Sequence, residues 1–308
     1  MESALEAQIS KTTTVTPPNL PIYSALQAKS SQDETFAGYS LFPQMTIPVR
    51  VGKILIGGPA FTVIAGPCAI ESHGQFLETA KGVKAAGASL LRGGVWKLRT
   101  SPSTFQGLGA EAFGFIKDVL AQTQMELVTE ITDPRQIEIL DDCVAMYQVG
   151  SRNMHNYALL KELGQTRKPV LIKRGFSAFV DEWIKAAEYV VKGGNKNVIL
   201  CERGIRTFET ATRNTLDLNA VVFAKANCSH PVIVDPSHAV GVRTLIPNLA
   251  MAAVAAGADG IIVESHPRPE EALSDGPQAL TLADFRWMMN RIERILAAMD
   301  RPLNRLDN

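Results

Sequence analysis

The alternation of strand-like and helix-like segments is the feature that most constrains the fold of this chain. Eight short apolar runs end in polar or charged residues: FTVIAG, SLLRGG, ELVTEI, MYQVG, PVLIKRG, NVILCERG, VIVDPSH and GIIVES. Among them lie segments in which apolar residues recur every three or four positions, including QFLETAKGVKAAG, AEAFGFIKDVLAQT, HNYALLKELG, AFVDEWIKAAEYVVKGG, TATRNTLDLNAVVFAKA and TLIPNLAMAAVAAGA. Eight such alternations predict a (β/α)8 TIM barrel. A doubly wound parallel sheet is the alternative, although it would not usually need eight equal repeats.

The flanks of the repeats differ in composition from the repeats themselves. Residues 1–45 are rich in Ser, Thr, Gln and Pro, which predicts a mobile polar tail. Residues 46–58 include TIPVRVGKILIGG, which predicts an N-terminal β-hairpin with its turn at Gly52. We assign residues 59–300 to the barrel and residues 301–308 to a C-terminal tail.

The last helix of the barrel has a recognisable start. Its apolar residues recur on one face from Leu282 to about Met299, and Thr281 precedes them as a candidate N-cap.

Charge and cysteine content exclude several classes of partner. The chain has 31 basic and 31 acidic residues, so nothing global favours binding to nucleic acid or to an anionic membrane. It has no long uninterrupted apolar run, which argues against a transmembrane helix. Its four cysteines form no CxxC pair and the N-terminus has no secretion signal, so we expect a cytoplasmic protein.

The ends of the predicted strands carry most of the candidate site residues. Active sites of such barrels lie at the C-terminal ends of the strands. Those ends supply Cys68, Arg92, Glu130, Arg152, Lys173, Arg203, His238 and Glu264, with Lys97 and Arg99 in the second loop and Asp275 in the eighth. Five of these residues are cations that would repel one another at one mouth unless an anion were bound: Arg92, Lys97, Arg152, Lys173 and Arg203. We therefore expect a phosphate and a carboxylate as ligands.

Two further groups point to chemistry. In KLRTSPSTFQGLG, Arg99, Thr100 and Ser101 precede Pro102, which favours an extended loop that could present them to a second phosphate. The segments DPSHAVGVR and VESHPRPEEALSDG supply a His, a Glu and an Asp, and VIAGPCAIES supplies a Cys. One thiolate, one imidazole and two carboxylates suit a divalent Mn, Fe, Co or Zn ion better than Mg or Ca. Each residue alone is more often structural than a ligand.

Several long motifs occur in an order that resembles a known family. The motifs AGPCAIES, RGGVWKLRTSPSTFQG, QVGSRNM, LIKRG, CERGIRTFE, DPSHAVGVR and HPRPEEALSDG are similar to those of the type I beta 3-deoxy-D-arabino-heptulosonate 7-phosphate (DAHP) synthases. The resemblance implies a TIM-barrel transferase that condenses phosphoenolpyruvate with erythrose 4-phosphate and water, releases phosphate and opens the shikimate pathway to aromatic compounds. It also implies a homo-oligomer, either a dimer or a tetramer.

The resemblance also implies a role for each candidate residue. It assigns one divalent metal ion, with Mn as the first choice, to Cys68, His238, Glu264 and Asp275. It assigns phosphoenolpyruvate to Arg92, Lys97, Arg152, Lys173 and Arg203, and the aldose phosphate to Arg99, Thr100 and Ser101. We expect Asp235 near the aldose hydroxyls or a metal-bound water, and Glu130 either to orient water or to pair with a cation. We expect Lys97 to donate a proton, because neighbouring cations should lower its pKa.

One position departs from the family pattern. The loop usually reads KPRTS, whereas this chain has Leu98 in place of the Pro, which should loosen the loop near the aldose phosphate. Two other functions stay open. One is 3-deoxy-D-manno-octulosonate 8-phosphate synthase, which uses arabinose 5-phosphate and typically has a longer KANR-type loop. The other is a barrel that has lost catalysis and acts as a scaffold. A specialised copy that serves a secondary pathway would have the same chemistry.

Overall fold

The computed structural model describes residues 45–99 and 101–306, beginning with an antiparallel hairpin. Strand β1 (Val49–Val51) pairs with β2 (Ile54–Ile56), and the turn between them contains Gly52 with a φ of 57°. This hairpin confirms the prediction for that segment. Residues 1–44, which make up nearly all of the predicted tail, lie outside the described residues, as do Thr100 and residues 307–308.

Eight parallel strands form a closed barrel after the hairpin. They are β3 (Thr62–Gly66), β4 (Leu90–Arg92), β5 (Leu127–Ile131), β6 (Met146–Val149), β7 (Val170–Lys173), β8 (Val198–Glu202), β9 (Val232–Val234) and β10 (Gly260–Glu264). Each strand pairs with its neighbour in the sequence, and β10 also pairs with β3, which closes the sheet. The TIM-barrel prediction is therefore confirmed, and the doubly wound alternative is excluded because an open sheet would leave two edges.

The helices occupy the connections between strands. They are α1 (His73–Ala85), α2 (Phe113–Thr123), α3 (Gln136–Leu140), α4 (Tyr157–Gly164), α5 (Val180–Lys192), α6 (Leu218–Asn227), α7 (Pro236–Val240), α8 (Ile246–Ala255) and α9 (Leu282–Ala298). The predicted cap of the last helix is confirmed, because the Thr281 hydroxyl accepts a hydrogen bond of 3.0 Å from the Asp284 amide. Within residues 45–99 and 101–306, no helix is long and apolar enough to cross a membrane.

Two local predictions were wrong. The segment TATRNTLDL was expected to be helical, but α6 begins only at Leu218 because the Asp217 carboxylate caps it, accepting from the Ala220 amide at 3.0 Å. The run VIVDPSH was expected to continue as a strand through its histidine. Instead, β9 ends at Val234 and Asp235 caps the short helix α7, whose first residue is Pro236. The helical start displaces His238 from the strand end onto α7.

The hairpin closes the barrel at the face opposite the C-terminal ends of the strands. One inward-facing residue from each strand joins a single buried cluster with the hairpin: Ile64, Leu90, Val128, Met146, Leu171, Ile199, Ile233 and Ile262. Val49, Val51, Ile54 and Ile56 of the hairpin pack against this layer and are at most 2% exposed. A second, larger cluster fills the space between the strands and the surrounding helices. The hairpin thus leaves the C-terminal ends of the strands as the accessible end of the barrel.

We predict that the hairpin contributes measurably to stability. Replacing Ile56, which is fully buried, with Ala should lower the free energy of unfolding by about 2–5 kcal/mol through lost burial and a residual cavity. The matched control Ile47→Ala removes the same atoms from a side chain that is 63% exposed, and should change stability by about 0.5 kcal/mol or less. Urea unfolding followed by circular dichroism would measure both. Equal, small shifts for the two variants would show that the hairpin is dispensable.

Candidate active site

The C-terminal ends of the strands surround a cavity of about 300 Å³. Its lining includes most of the residues predicted to bind substrate, together with two of the predicted metal ligands: Arg92, Lys97, Arg99, Ser101, Arg152, Lys173, Arg203, His238 and Asp275. Thr100 lies outside the described residues. A polar cavity of this size suits a small, anionic molecule.

Four side chains meet beside this cavity, and two of them, His238 and Asp275, line it. One ligand atom from each of Cys68, His238, Glu264 and Asp275 lies within 4.8 Å of the other three. The Cys68 sulfur is 3.2 Å from Asp275 Oδ2, and His238 Nε2 is 3.1 Å from Glu264 Oε1 and 3.8 Å from Asp275 Oδ2. These four residues could hold a metal ion.

The hydrogen bond from His238 Nδ1 to Asp235 leaves the other ring nitrogen, Nε2, without a proton. Its Nδ1 lies 2.7 Å from Asp235 Oδ2, and burial lowers the pKa of the imidazole. A neutral ring that donates from Nδ1 to a carboxylate presents an unprotonated Nε2. That lone pair faces Glu264 Oε1, which has no hydrogen-bond donor among the described residues. Two acceptor atoms 3.1 Å apart repel each other unless a cation lies between them, so the donor set fits a metal ion.

Asp235 does not lie where the sequence suggested. It is fully buried behind His238 and does not line the cavity, whereas we had expected it near the aldose hydroxyls or a metal-bound water. Its carboxylate accepts from Lys173 Nζ at 2.5 Å as well as from His238. Burial by itself would raise the pKa of Asp235, but the interaction with His238 and the charge of Lys173 outweigh burial and hold the pKa well below its usual range. The carboxylate therefore positions two site residues at once.

A second positioning group, Gln278, lies behind Glu264 and was not anticipated from the sequence. Gln278 is buried, and its Nε2 donates to Glu264 Oε2 at 2.5 Å, which leaves Glu264 Oε1 directed at the metal ligands. The Gln278 Oε1 atom in turn accepts from Arg213 Nη1 at 2.8 Å. Arg213 lines the cavity and lies 3.6 Å from Asp275 Oδ1. Gln278 comes three residues after Asp275, but an amide in a loop gives no signal of this kind by itself.

The pKa of Lys97 shifts in the direction opposite to the expected one. We expected neighbouring cations to lower its pKa. Burial does lower the pKa of this amine, but the electrostatic effects of Cys68 and Glu130 outweigh burial, so the pKa lies above its usual value. Lys97 Nζ is 3.3 Å from Glu130 Oε2, which is the ion pair that we had considered for Glu130. Lys97 is therefore a firmly charged cation and a weaker acid than predicted.

Arg92 has unused hydrogen-bonding capacity toward the cavity. Its Nη2 atom lies 3.3 Å from Glu264 Oε1, whereas its Nε and Nη1 atoms are buried with no acceptor among the described residues. A buried guanidinium that lacks acceptors is costly unless a ligand supplies them. The arrangement favours an anion next to the metal ligands.

The second loop brings Arg99 to the same cavity. Arg99 Nη1 donates to Ser274 Oγ at 2.6 Å, and Ser274 Oγ lies 3.2 Å from the Cys68 sulfur. Ser101 lines the cavity and bonds to Ser103 at 2.8 Å. Leu98 lies on the lining too, with 38% of its surface exposed. The loop therefore lies beside the metal ligands, as expected for a group that would meet the second substrate.

The chain matches a known protein family over most of its length. Residues 32–298 match the model of the DAHP synthetase I family. The chain belongs to this family. A phospho-2-dehydro-3-deoxyheptonate aldolase from Thermotoga maritima is 42% identical over 262 residues, which cover 85% of this chain and 77% of the relative. A 2-dehydro-3-deoxyphosphooctonate aldolase from Bradyrhizobium sp. is 32% identical, covering 79% of this chain and 91% of the relative.

Solved structures of DAHP synthases have the same fold as this chain. The crystal structure of the Thermotoga maritima DAHP synthase superposes with a TM-score of 0.82 at 41% identity, covering 86% of this chain and 79% of that one. A truncated form of the same enzyme gives a TM-score of 0.78 at 39% identity, covering 84% of this chain and 95% of that one. The prediction of an enzyme of the DAHP synthase type is therefore confirmed.

We predict that Gln278 sets the metal affinity through Glu264. Gln278→Leu keeps the volume but removes the donor to Glu264 Oε2, so the carboxylate should lose its orientation. Loss of such a supporting partner typically weakens metal binding about 10- to 100-fold. Competition between the protein and a chelating dye for Mn²⁺ would measure the dissociation constant. The control Gln165→Leu changes an exposed glutamine elsewhere and should bind Mn²⁺ normally. Equal affinities for the two variants would show that Gln278 has no such role.

Proposed function

We propose that this enzyme condenses phosphoenolpyruvate with erythrose 4-phosphate and water to give DAHP and phosphate, in a metal-dependent reaction that opens the shikimate pathway. One observation carries the proposal: a group of metal-ligand type and a group of cations converge on one cavity at the strand ends. The name of the Thermotoga relative supports the same reaction. We extend the proposal to a cytoplasmic homo-oligomer, a dimer or tetramer, on the basis of the family resemblance and cysteine usage.

The metal would be held by Cys68, His238, Glu264 and Asp275. Burial raises the pKa of the Cys68 thiol, so this residue becomes a thiolate ligand only next to a cation. Burial also raises the pKa of Asp275, but its interactions with His238, Cys68 and Arg213 outweigh burial and bring the value to about 2, which keeps this ligand ionised. A mixed set of sulfur, nitrogen and oxygen favours Mn, Fe, Co or Zn, with Mn first. When bound, such an ion supplies Lewis acidity to the aldehyde oxygen of the aldose.

The cations would hold phosphoenolpyruvate: Arg92, Lys97, Arg152, Lys173 and Arg203. Arg92 contributes two buried N–H groups without acceptors, which can receive a carboxylate or phosphate oxygen. Lys97 contributes a fixed positive charge, because the pKa of its amine is raised. These fixed charges hold the enol phosphate with its carbon 3 directed at the aldehyde carbon. The new carbon–carbon bond forms between these two atoms. As this bond forms, the double bond between carbons 2 and 3 is consumed and the aldehyde oxygen takes up a proton. Water adds at carbon 2 and gives up a proton, and the resulting hemiketal phosphate breaks its carbon–oxygen bond, which releases phosphate and leaves the ketone.

Arg99, Thr100 and Ser101 would bind the aldose phosphate. The bond from Arg99 to Ser274 brings this loop next to the metal ligands, so the aldehyde and the phosphate of one short sugar could both be reached. Asp235 acts at a distance from the sugar by holding His238 and Lys173. The octulosonate synthase reaction is the second candidate, and the 32% identical Bradyrhizobium relative is the observation that favours it.

Phosphate release from phosphoenolpyruvate tests the proposal directly. Protein stripped with a chelator should be inactive with either sugar, and Mn²⁺ should restore activity with erythrose 4-phosphate. One additional carbon in the sugar should lower kcat/KM about 10- to 100-fold, so arabinose 5-phosphate should be the poorer substrate. A preference for arabinose 5-phosphate would move the assignment to the octulosonate synthase. Inactivity with both sugars in the presence of Mn²⁺, Fe²⁺, Co²⁺ and Zn²⁺ would contradict the proposal.

We predict that Leu98→Pro tightens binding of the aldose. The Leu98 amide donates no hydrogen bond to any described residue, so a proline would remove no internal bond there. A proline that fits the loop limits its freedom and gains about 0.4–1 kcal/mol, which corresponds to a two- to fivefold lower KM for erythrose 4-phosphate. The KM for phosphoenolpyruvate is the internal control and should stay constant. Steady-state kinetics with each substrate varied in turn would give both values, and a higher aldose KM would show that the native loop needs its freedom.

A further inference from the structure

Three arginines surround one aromatic ring at the rim of the cavity. Phe176 lies in the loop after β7, and the centroid of its ring is 4.8 Å from the guanidinium carbon of Arg203, 5.0 Å from that of Arg206 and 5.5 Å from that of Arg152. The ring is only partly buried and lines the cavity. The Arg206 amide donates to the Phe176 carbonyl at 2.7 Å, so the loops after β7 and β8 are joined at this point. Arg206 was not among the candidate site residues.

The charges of this cluster are not balanced by carboxylates. In the part of the chain that the structure describes, none of the three guanidinium groups forms an ion pair, and the one side-chain bond of Arg203 goes to the Gly204 carbonyl at 3.3 Å. Arg213 differs, since it has Asp275 and Gln278 as partners. Burial lowers the pKa of Arg203 and outweighs the opposing charge of Asp235, while the nearby charge of Arg213 lowers it further. Such a group of cations requires either a bound anion or a contact within the protein that offsets their repulsion.

We infer that Phe176 is a positioning residue that holds Arg152 and Arg203 in place for an anionic group of phosphoenolpyruvate, and that Arg206 is a further cation of the same subsite. This inference rests on the proposed function. The face of an aromatic ring carries partial negative charge and attracts guanidinium groups within about 6 Å. The ring therefore offsets part of the repulsion among the three cations without filling the place of the anionic ligand.

An aliphatic residue cannot replace the ring in this role. A carboxylate would hold the arginines more strongly, but it would also neutralise them and repel the substrate. A leucine would fill similar space but would offer no negative face, so the arginines would separate and lose their common direction. The aromatic side chain is the neutral group that attracts cations. We expect its loss to weaken binding of phosphoenolpyruvate more than it slows the chemical step.

The experiment compares matched variants of the metal-loaded enzyme. Phe176→Leu removes the ring, whereas Phe176→Trp keeps an aromatic face. Trp287→Leu is the control, because Trp287 also stacks on an arginine, Arg291 at 4.0 Å, but lies on α9 and does not line the cavity. Calorimetry gives the dissociation constant of phosphoenolpyruvate without aldose, and steady-state kinetics gives kcat and both KM values.

The expected result is a split between binding and turnover. Phe176→Leu should raise the dissociation constant and the KM for phosphoenolpyruvate about tenfold, which corresponds to about 1.4 kcal/mol, with kcat and the aldose KM within about twofold. Phe176→Trp should retain most of the affinity and Trp287→Leu all of it. Unchanged affinity in Phe176→Leu, or equal losses in the Leu and Trp variants, would overturn the inference. A wild-type enzyme that neither binds nor consumes phosphoenolpyruvate would instead refute the proposed function.

Arg206 provides an independent test of the same subsite. Arg206→Gln should also raise the dissociation constant of phosphoenolpyruvate, by about three- to tenfold, because one positive charge is lost close to the anion. The control Arg135→Gln removes another exposed arginine, which pairs with Asp133 outside the cavity, and should bind normally. Equal affinities for the Arg206 and Arg135 variants would remove Arg206 from the subsite.

Discussion

The buried carboxylate of Asp235 is the interaction on which the geometry of the site depends. It accepts hydrogen bonds from Lys173 at the end of β7 and from His238 on α7, and it caps that helix through the His238 amide at 2.9 Å. One side chain thereby holds Lys173, the His238 ring and the start of the helix that carries His238. Removing a partner from such a buried group typically costs about 3–5 kcal/mol, because the remaining charges are left without compensation. The cations at the mouth tolerate one another only because fixed groups of this kind hold them.

Arg92 links the two halves of the site. Its Nη2 atom contacts Glu264 among the metal ligands, and its Nε and Nη1 atoms await acceptors. A cation bound by Glu264 would reduce the pull of that carboxylate on Arg92 and make the guanidinium a better partner for an anion. By thermodynamic reciprocity, an anion on Arg92 would favour the cation to the same extent. In the proposed reaction, we therefore expect the affinities for metal and for phosphoenolpyruvate to be coupled through Arg92.

The sequence was most informative where topology decides position. The C-terminal ends of the strands of a barrel must converge, so the cations and the candidate metal ligands could be identified from the ends of eight strand-like runs in the sequence. It was least informative where the effect depends on distances across the cavity. A count of neighbouring cations suggested a lowered pKa for Lys97. Its pKa is raised because Cys68 and Glu130 lie close to it and outweigh those cations. Gln278 and Phe176 act through contacts with residues distant in sequence, and neither residue type signals that role by itself. Asp235 next to His238 did carry a signal, but the helix cap that turns its carboxylate inward was not anticipated.

The closure of the barrel has a consequence for how the chain acquires its site. Cys68 follows the first barrel strand, whereas Glu264 and Asp275 belong to the last strand and its loop, and the bond from Cys68 to Asp275 spans 207 positions in sequence. These residues can meet only after β10 has been synthesised and has paired with β3. A cation held both by Cys68 after β3 and by Glu264 and Asp275 at the end of β10 would link the first and last strands of the barrel. It would stabilise the closed barrel over any form in which the last strand is detached. Supply of the metal during synthesis would then govern how quickly newly made chains become resistant to proteolysis.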